Sequence, residues 1–342
     1  MAVLACALAL SACGADDAPP DRAEPGPPAT TATAVAEEPG PAPARAEFFA
    51  ADSIWNEPLP DDAPLDPRSD ALVERLRRLA SDHGTTVNIR EFSTPLYRVG
   101  RDQPTVRVQL DEARASELQR AINAVPLPRD ARPAAGTDAN LVVYQESTDT
   151  SWEFWRFRRE ADGFHAGWAG KMVGVRENPG WFRDRTDPFE RRFWGITATN
   201  IAKLAGLVTL EDLRRGRIDH VLAVAIPEAR RDVWSRPAQN TDGVSDDPGA
   251  IPEGARFRLD PKLDLDTLEL PRFTRMLAEA AQRHGIVINN TAGAVVFHAQ
   301  DPRPGDGNPY PDLLDGLVPA QVARAFPYER LQALELRLER RR

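Results

Sequence analysis

Apolar and polar positions alternate at two periods along this 342-residue chain. Residues 69–82 place Leu72, Leu76 and Leu79 at helical spacing, which predicts a helix capped by Ser69. A second helix is expected over 111–124, with Leu118, Ala121 and Ile122 as its apolar stripe. A third is expected over 271–284, opened by Pro271 and stopped by Gly285. A short fourth covers 209–215, before Gly216. Strand-like runs are more numerous: 86–91, 95–99, 105–110, 140–146, 152–159, 164–175, 218–226, 255–259, 286–290, 293–299 and 331–338. The connections at 145–151 and 160–163 are short, so 140–175 reads as a three-strand antiparallel meander. In the last run Leu334, Leu336 and Leu338 alternate with Glu335 and Arg337, a period of two. Helices are too few and too unevenly placed for repeated βαβ units. The pattern predicts a mainly β domain, an antiparallel, jelly-roll-like sandwich with three or four peripheral helices. An α+β layered fold is the alternative.

The N-terminus departs from this pattern. Residues 2–12 form an apolar run of secretory length that ends in Leu10-Ser11-Ala12-Cys13. That tetrapeptide resembles a bacterial lipobox, in which the cysteine is lipidated and becomes the first mature residue. Residues 14–46 follow with eight prolines, six acids and two arginines, a composition that gives an extended tether. The expected organisation is a signal peptide over 1–12, a lipidated Cys13 with its tether to 46, and one β-rich domain over 47–342. The expected location is the extracytoplasmic face of the cell membrane, with Cys13 as the membrane contact. Cys6, the only other cysteine, lies in the segment that would be removed. The mature chain would then have no disulfide, no zinc–thiolate site and no cysteine nucleophile.

Charge narrows the partners. The net charge is −9 and the pI about 5.3, so no basic field invites nucleic acid. Lysine is scarce, at Lys171, Lys203 and Lys262, and the other positive side chains are arginines. A monomer is expected.

Three places offer chemistry. Gly136-Thr137-Asp138 can hold a carboxylate at the mouth of strand 140–146. In Trp152-Glu153-Phe154-Trp155 the strand period puts Glu153, Trp155 and Phe157 on one face. A carboxyl beside indole rings is desolvated, so its pKa rises toward that of a general acid. Glycoside cleavage needs two carboxylates around one bond, and Asp138 and Glu153 fall on adjacent strands of the meander. Ile218-Asp219-His220 carries the third candidate, with His220 a reserve base for an elimination and His165 a weaker one. Against each stands a structural reading: Asp138 as the cap of its own turn, Glu153 as the partner of an arginine, and His220 as a core residue. Trp152, Trp155 and Trp168 offer flat apolar faces to sugar rings. The acidic run Asp242-Gly243-Val244-Ser245-Asp246-Asp247 lacks EF-hand spacing and reads as a solvated turn. Phosphate-loop, nucleophile-elbow, zinc-protease and dinucleotide signatures do not occur, so neither a metal nor a cofactor is expected.

From Phe48 onward the chain resembles a group of secreted actinobacterial proteins without an established activity. The resemblance rests on Ser53-Ile54-Trp55-Asn56, Gly136-Thr137-Asp138, Trp152-Glu153-Phe154-Trp155, Ala205-Gly206-Leu207-Val208, Ile218-Asp219-His220 and residues 251–259. Some relatives carry His at the position of Asn140, and a catalytic role for that His would count against activity in this chain; Asn140 itself joins Trp152, Trp155 and Trp168 in the expected substrate-binding set. The resemblance itself implies no reaction. The functional expectation is a membrane-anchored lipoprotein that recognises or cleaves an extracellular glycan, as a glycoside hydrolase or polysaccharide lyase if it is an enzyme. The alternative is a non-catalytic envelope or binding lipoprotein.

Overall fold

The computed structural model describes residues 48–112, 115–182 and 195–341. The lipobox and Cys13 lie outside these residues. Among the described residues, no helix is long and apolar enough to cross a membrane.

Strand outweighs helix, and the strands form several sheets, none of them closed. The largest has six strands, in the order Thr85–Asn88, Val295–His298, Leu222–Ile226, Ile286–Thr291, Arg256–Leu259 and Leu331–Ala333. A four-stranded sheet has the order Trp168–Val173, Thr150–Trp155, Leu141–Gln145 and Leu96–Val99. The expected meander is present in this sheet. Leu141–Gln145 pairs antiparallel with Thr150–Trp155, which pairs antiparallel with Trp168–Val173. Its middle strand ends early, however, at Trp155. Arg156 adopts φ 51°, a left-handed conformation, and the chain then turns off into a separate hairpin of Arg158–Glu160 and Gly163–Ala166.

The pairing is mixed and not purely antiparallel. Leu222–Ile226 runs parallel to Ile286–Thr291, and Thr85–Asn88 runs parallel to Val295–His298. Parallel neighbours need a long crossover, and the helix Arg272–Arg283 precedes Ile286–Thr291 in that role. Two short helices not foreseen, Tyr310–Leu314 and Pro319–Arg324, follow the last long strand. The expected run over 331–338 is broken into Leu331–Ala333 and Leu338–Arg340, which join different sheets. Ser69 does not cap its helix. Its hydroxyl accepts the Ala333 N–H at 2.9 Å and so ties helix Ser69–His83 to the sheet edge.

Three apolar layers follow from the period of two. One face of the large sheet, with Leu222, Val224, Phe257, Ile286, Ile288 and Phe297, buries against helices Ser69–His83 and Arg272–Arg283. Its other face contributes Val221 and Val287 to a middle layer, where Leu96, Val142, Tyr144 and Met172 arrive from the four-stranded sheet. Chain segment 201–207 runs through this middle layer with Ile201, Ala202, Leu204, Ala205 and Leu207. The far face of the four-stranded sheet packs Leu141, Val143, Trp152 and Phe154 against Leu118, Phe157 and Phe164.

Gly254 marks a close approach that no other residue permits. It has φ +83°, and a Cβ there would stand 1.7 Å from the Ser235 carbonyl oxygen. Gly254→Ala is therefore expected to cost more than the about 1–3 kcal/mol of left-handed strain alone. Thermal or denaturant unfolding of the variant checks this, with a wild-type midpoint as the contrary result.

Candidate functional site

A cleft of about 640 Å³ opens where the four-stranded sheet, segment 195–203 and the large sheet meet. That volume is typical of ligand sites. Its lining includes Asp138, Asn140, Trp155 and Trp168 on one side, and Asn240, Asp242, Asn290 and Thr291 on the other. Ile196, Thr197, Asn200 and Lys203 come from the intervening segment.

The first wall is built by the meander. Trp155 and Trp168 are direct cross-strand partners. Trp155 Nε1 donates to Asp138 Oδ1 at 3.2 Å, and the Arg156 guanidinium lies 4.2 Å from the Trp155 ring centroid. The Asp138 carbonyl accepts the Arg156 N–H at 2.7 Å. This tryptophan and carboxylate therefore hold each other in place before any ligand arrives. Among the described residues the Asp138 carboxylate bonds this indole and not its own turn.

Glu153 shares the strand face of Trp155, as the period of two requires, but it does not line the cleft. It is 2% exposed, and segment 195–203 covers it. Its Oε1 accepts the Ile196 N–H and its Oε2 accepts the Lys203 N–H, each at 2.8 Å. Burial pushes its pKa up to about 7, against the pull of those two donors and of the Lys203 charge. The upward direction expected from the sequence is present. Its cause is burial under a loop, and the residue braces the backbone of the cleft floor. Phe157 leaves this face altogether. After the left-handed turn at Arg156 it packs 5.5 Å from Phe154, on the far side of the sheet.

Two further candidates lie elsewhere. Trp152 points to the far face, 5% exposed, with Lys171 Nζ 5.4 Å from its ring centroid. His220 is not among the cleft residues. Its Nδ1 is 2.8 Å from the Val221 carbonyl and its Nε2 is 3.0 Å from Asp212 Oδ2. Burial lowers its pKa, yet Asp212 outweighs burial and holds it above the usual histidine range. Both ring nitrogens face acceptors within the protein, so neither is free to meet a substrate. Asp212 also accepts from the Thr209 hydroxyl at 2.7 Å, within the capping box of helix Leu210–Arg215. The pair fastens a helix start.

His165 sits on a hairpin with Glu160 and Asp162. Among the described residues, this is the one set of three donors whose ligand atoms lie within 4.8 Å of one another. The acidic run 242–247 disperses its carboxylates. Asp246 pairs with Arg231 at 2.7 Å and Asp247 with Arg75 at 3.0 Å, while Asp242 alone reaches the cleft.

The sequence reading missed Lys203 and Asn200. A signal for Lys203 was present: it is one of three lysines and interrupts the apolar run Ile201-Ala202-Lys203-Leu204-Ala205. Lys203 is 7% exposed, and its amine makes no hydrogen bond or ion pair among the described residues. Burial lowers its pKa, opposed by the charges of Asp138 and Glu153. His298 lies close enough to feel its charge, and burial followed by that charge keeps the imidazole neutral. Behind Asp242, the fully buried Glu253 is pushed up to about 8 by desolvation and then by the Asp242 charge.

Compared with protein-family models, with curated proteins and with solved structures, the chain matches none.

Two outcomes follow. Glu153→Gln sets an amide NH₂ against one of two backbone donors, so at pH 8 it is expected to lower stability by about 1–3 kcal/mol. Unchanged denaturant unfolding would contradict the bracing role. Glu153 and Glu253 both have folded pKa values above the unfolded 4.5. Their favourable contribution is complete below about pH 4.5 and is lost as the pH rises through about 7 and 8. Glu253→Gln should flatten this fall in a series of melts from pH 4.5 to 8.5. An equally steep fall in the variant would contradict the assignment.

Proposed function

We propose that this protein is an extracytoplasmic lipoprotein, held to the membrane through lipid on Cys13, whose cleft recognises an extracellular glycan. The observation that carries this reading is the lining of the cleft: two tryptophans beside a ring of amides, hydroxyls and carboxylates. Indole faces pack on the C–H faces of sugar rings, and short polar groups pair with ring hydroxyls. The sugar-facing set is Asp138, Asn140, Trp155 and Trp168.

Recognition is favoured over hydrolysis by an Asp138–Glu153 pair. Glu153 spends both oxygens on backbone donors and lies under the floor, so it has no path to a glycosidic oxygen. A non-catalytic binding lipoprotein therefore fits this geometry better than a glycosidase using those two groups. The two large sheets are read as a sandwich-like arrangement, supported by the apolar layer to which both contribute. A tether on Cys13 would then present the cleft away from the membrane surface.

The test pairs binding with location. Trp155→Ala and Trp168→Ala are expected to keep the fold and to weaken retention on a matched polysaccharide in affinity electrophoresis by about tenfold or more. Retention unchanged in both variants would overturn the cleft as the binding site. Cys13→Ala should move the protein from the membrane fraction to the soluble one, with loss of the lipid mass on the N-terminal peptide. A variant that still pellets, with a wild type that carries no lipid, would refute the anchor.

A further inference from the structure

The walls and the floor of the cleft differ in how their polar groups are satisfied. On the far wall Asn240 Oδ1 accepts from Arg341 at 2.9 Å and Asn290 Oδ1 from the Ala198 N–H at 3.3 Å. Thr291 donates to Asp242, and Asp138 accepts from Trp155. Thr197 donates to the Ile201 carbonyl at 2.6 Å. On the floor the unmet donor is fully buried. Asn200 is 4% exposed, and its Nδ2 has no hydrogen-bond partner. Beside it in the chain, Lys203 brings an ammonium with no ion pair among the described residues. Asn140, 3% exposed and also in the lining, makes no side-chain hydrogen bond among the described residues.

An unpartnered buried donor such as Asn200 Nδ2 costs roughly 1–3 kcal/mol, and an ammonium taken from water costs more, here offset in part by the charges of Asp138 and Glu153. Neither is expected at a position with no use for it. Asn200 is further held at φ 59°, a left-handed conformation that asparagine adopts more readily than most residues with a side chain. The segment is pinned in that shape from both sides. Glu153 holds the N–H groups of Ile196 and Lys203, and the Asn289 carbonyl accepts from Thr199 Oγ1 at 2.7 Å. What Asn200 and Lys203 on the floor and Asn140 at the foot of the first wall lack is an acceptor that can take one ammonium and two amide donors. A carboxylate does so with two oxygens and about four lone-pair sites.

We infer that Asn140, Asn200 and Lys203 form a seat for a carboxylate, and that the cleft selects a glycan bearing uronate groups. This rests on the glycan reading above. The acid would sit on the floor, its sugar ring against Trp155 and Trp168, and its hydroxyls toward the carboxylates of Asp138 and Asp242. The same chemistry could come from a free small carboxylate, so the experiment separates the two sources.

Three probes are titrated into the protein by calorimetry: polygalacturonate, the same polymer with its carboxyls reduced to alcohols, and acetate. Native polymer is expected to bind, and the reduced polymer to bind at least about tenfold more weakly. Lys203→Met and Asn200→Ala should each bring native polymer down toward the reduced level, whereas Trp155→Ala should weaken both polymers. A second measurement needs no variant. Reductive methylation of wild type, read by mass spectrometry at Lys171, Lys203 and Lys262, should show polygalacturonate shielding Lys203 alone. Equal binding of native and reduced polymer would overturn the seat and leave the glycan reading standing. Shielding of Lys203 by acetate with no binding of either polymer would support the seat and overturn the glycan reading. Absence of binding and of shielding by all three probes would overturn the seat.

Discussion

One buried carboxylate organises the cleft. Glu153 rises from the middle of the four-stranded sheet and grips segment 195–203 at two points, the N–H groups of Ile196 and Lys203. A carboxylate removed from water is costly unless its lone pairs are met, and two backbone donors meet them. The same grip sets the positions of Thr197, Asn200 and Lys203, because all lie between or at the gripped residues. The cleft floor is thus held to the sheet by a charge-assisted contact, while the neighbouring apolar residues Ile201, Ala202 and Leu204 anchor it in the middle layer.

This arrangement explains why polar groups can stay unpaired there. A flexible segment would turn Asn200 and Lys203 toward water or toward a carbonyl. Here the backbone is fixed from both sheets, through Glu153 on one side and through Asn289 and Asn290 on the other. The stability of three apolar layers offsets the local cost of unmet donors, as it commonly does where a scaffold prepares a binding site. The tryptophan wall is prepared in a similar way. Trp155 is fixed by its indole N–H bond to Asp138 and by the Arg156 guanidinium over its ring, so little side-chain entropy remains to be lost on binding.

The other titratable groups fall into roles away from the cleft or behind it. His220 and Asp212 close a helix cap, and Glu253 lies buried behind the Asp242 wall. Perturbed carboxyls and imidazoles are therefore poor guides to the site in this protein when they are taken singly. What separates Lys203 from His220 is the state of its partners. His220 has an acceptor for each ring nitrogen, and Lys203 has none for its amine among the described residues.

The wall shared by Asp138, Trp155 and Trp168 is a tertiary result, whereas the strand-rich character, the two long helices and the antiparallel meander are legible in the sequence. These follow from local periods and short turns, which neighbouring residues decide among themselves. The upward shift of the Glu153 pKa has the direction expected from the sequence, but its cause is burial under segment 195–203 and not the aromatic face. Only the tertiary structure decided what does the covering. The strand period could not foresee the left-handed turn at Arg156, which sends Phe157 to the opposite core, nor the crossover that makes the large sheet mixed. Lys203 and Asn200 reach the cleft because a segment roughly 50 residues beyond Glu153 in the chain folds back onto it. That return is set by the burial of apolar residues contributed by two sheets, a long-range condition that no local pattern encodes.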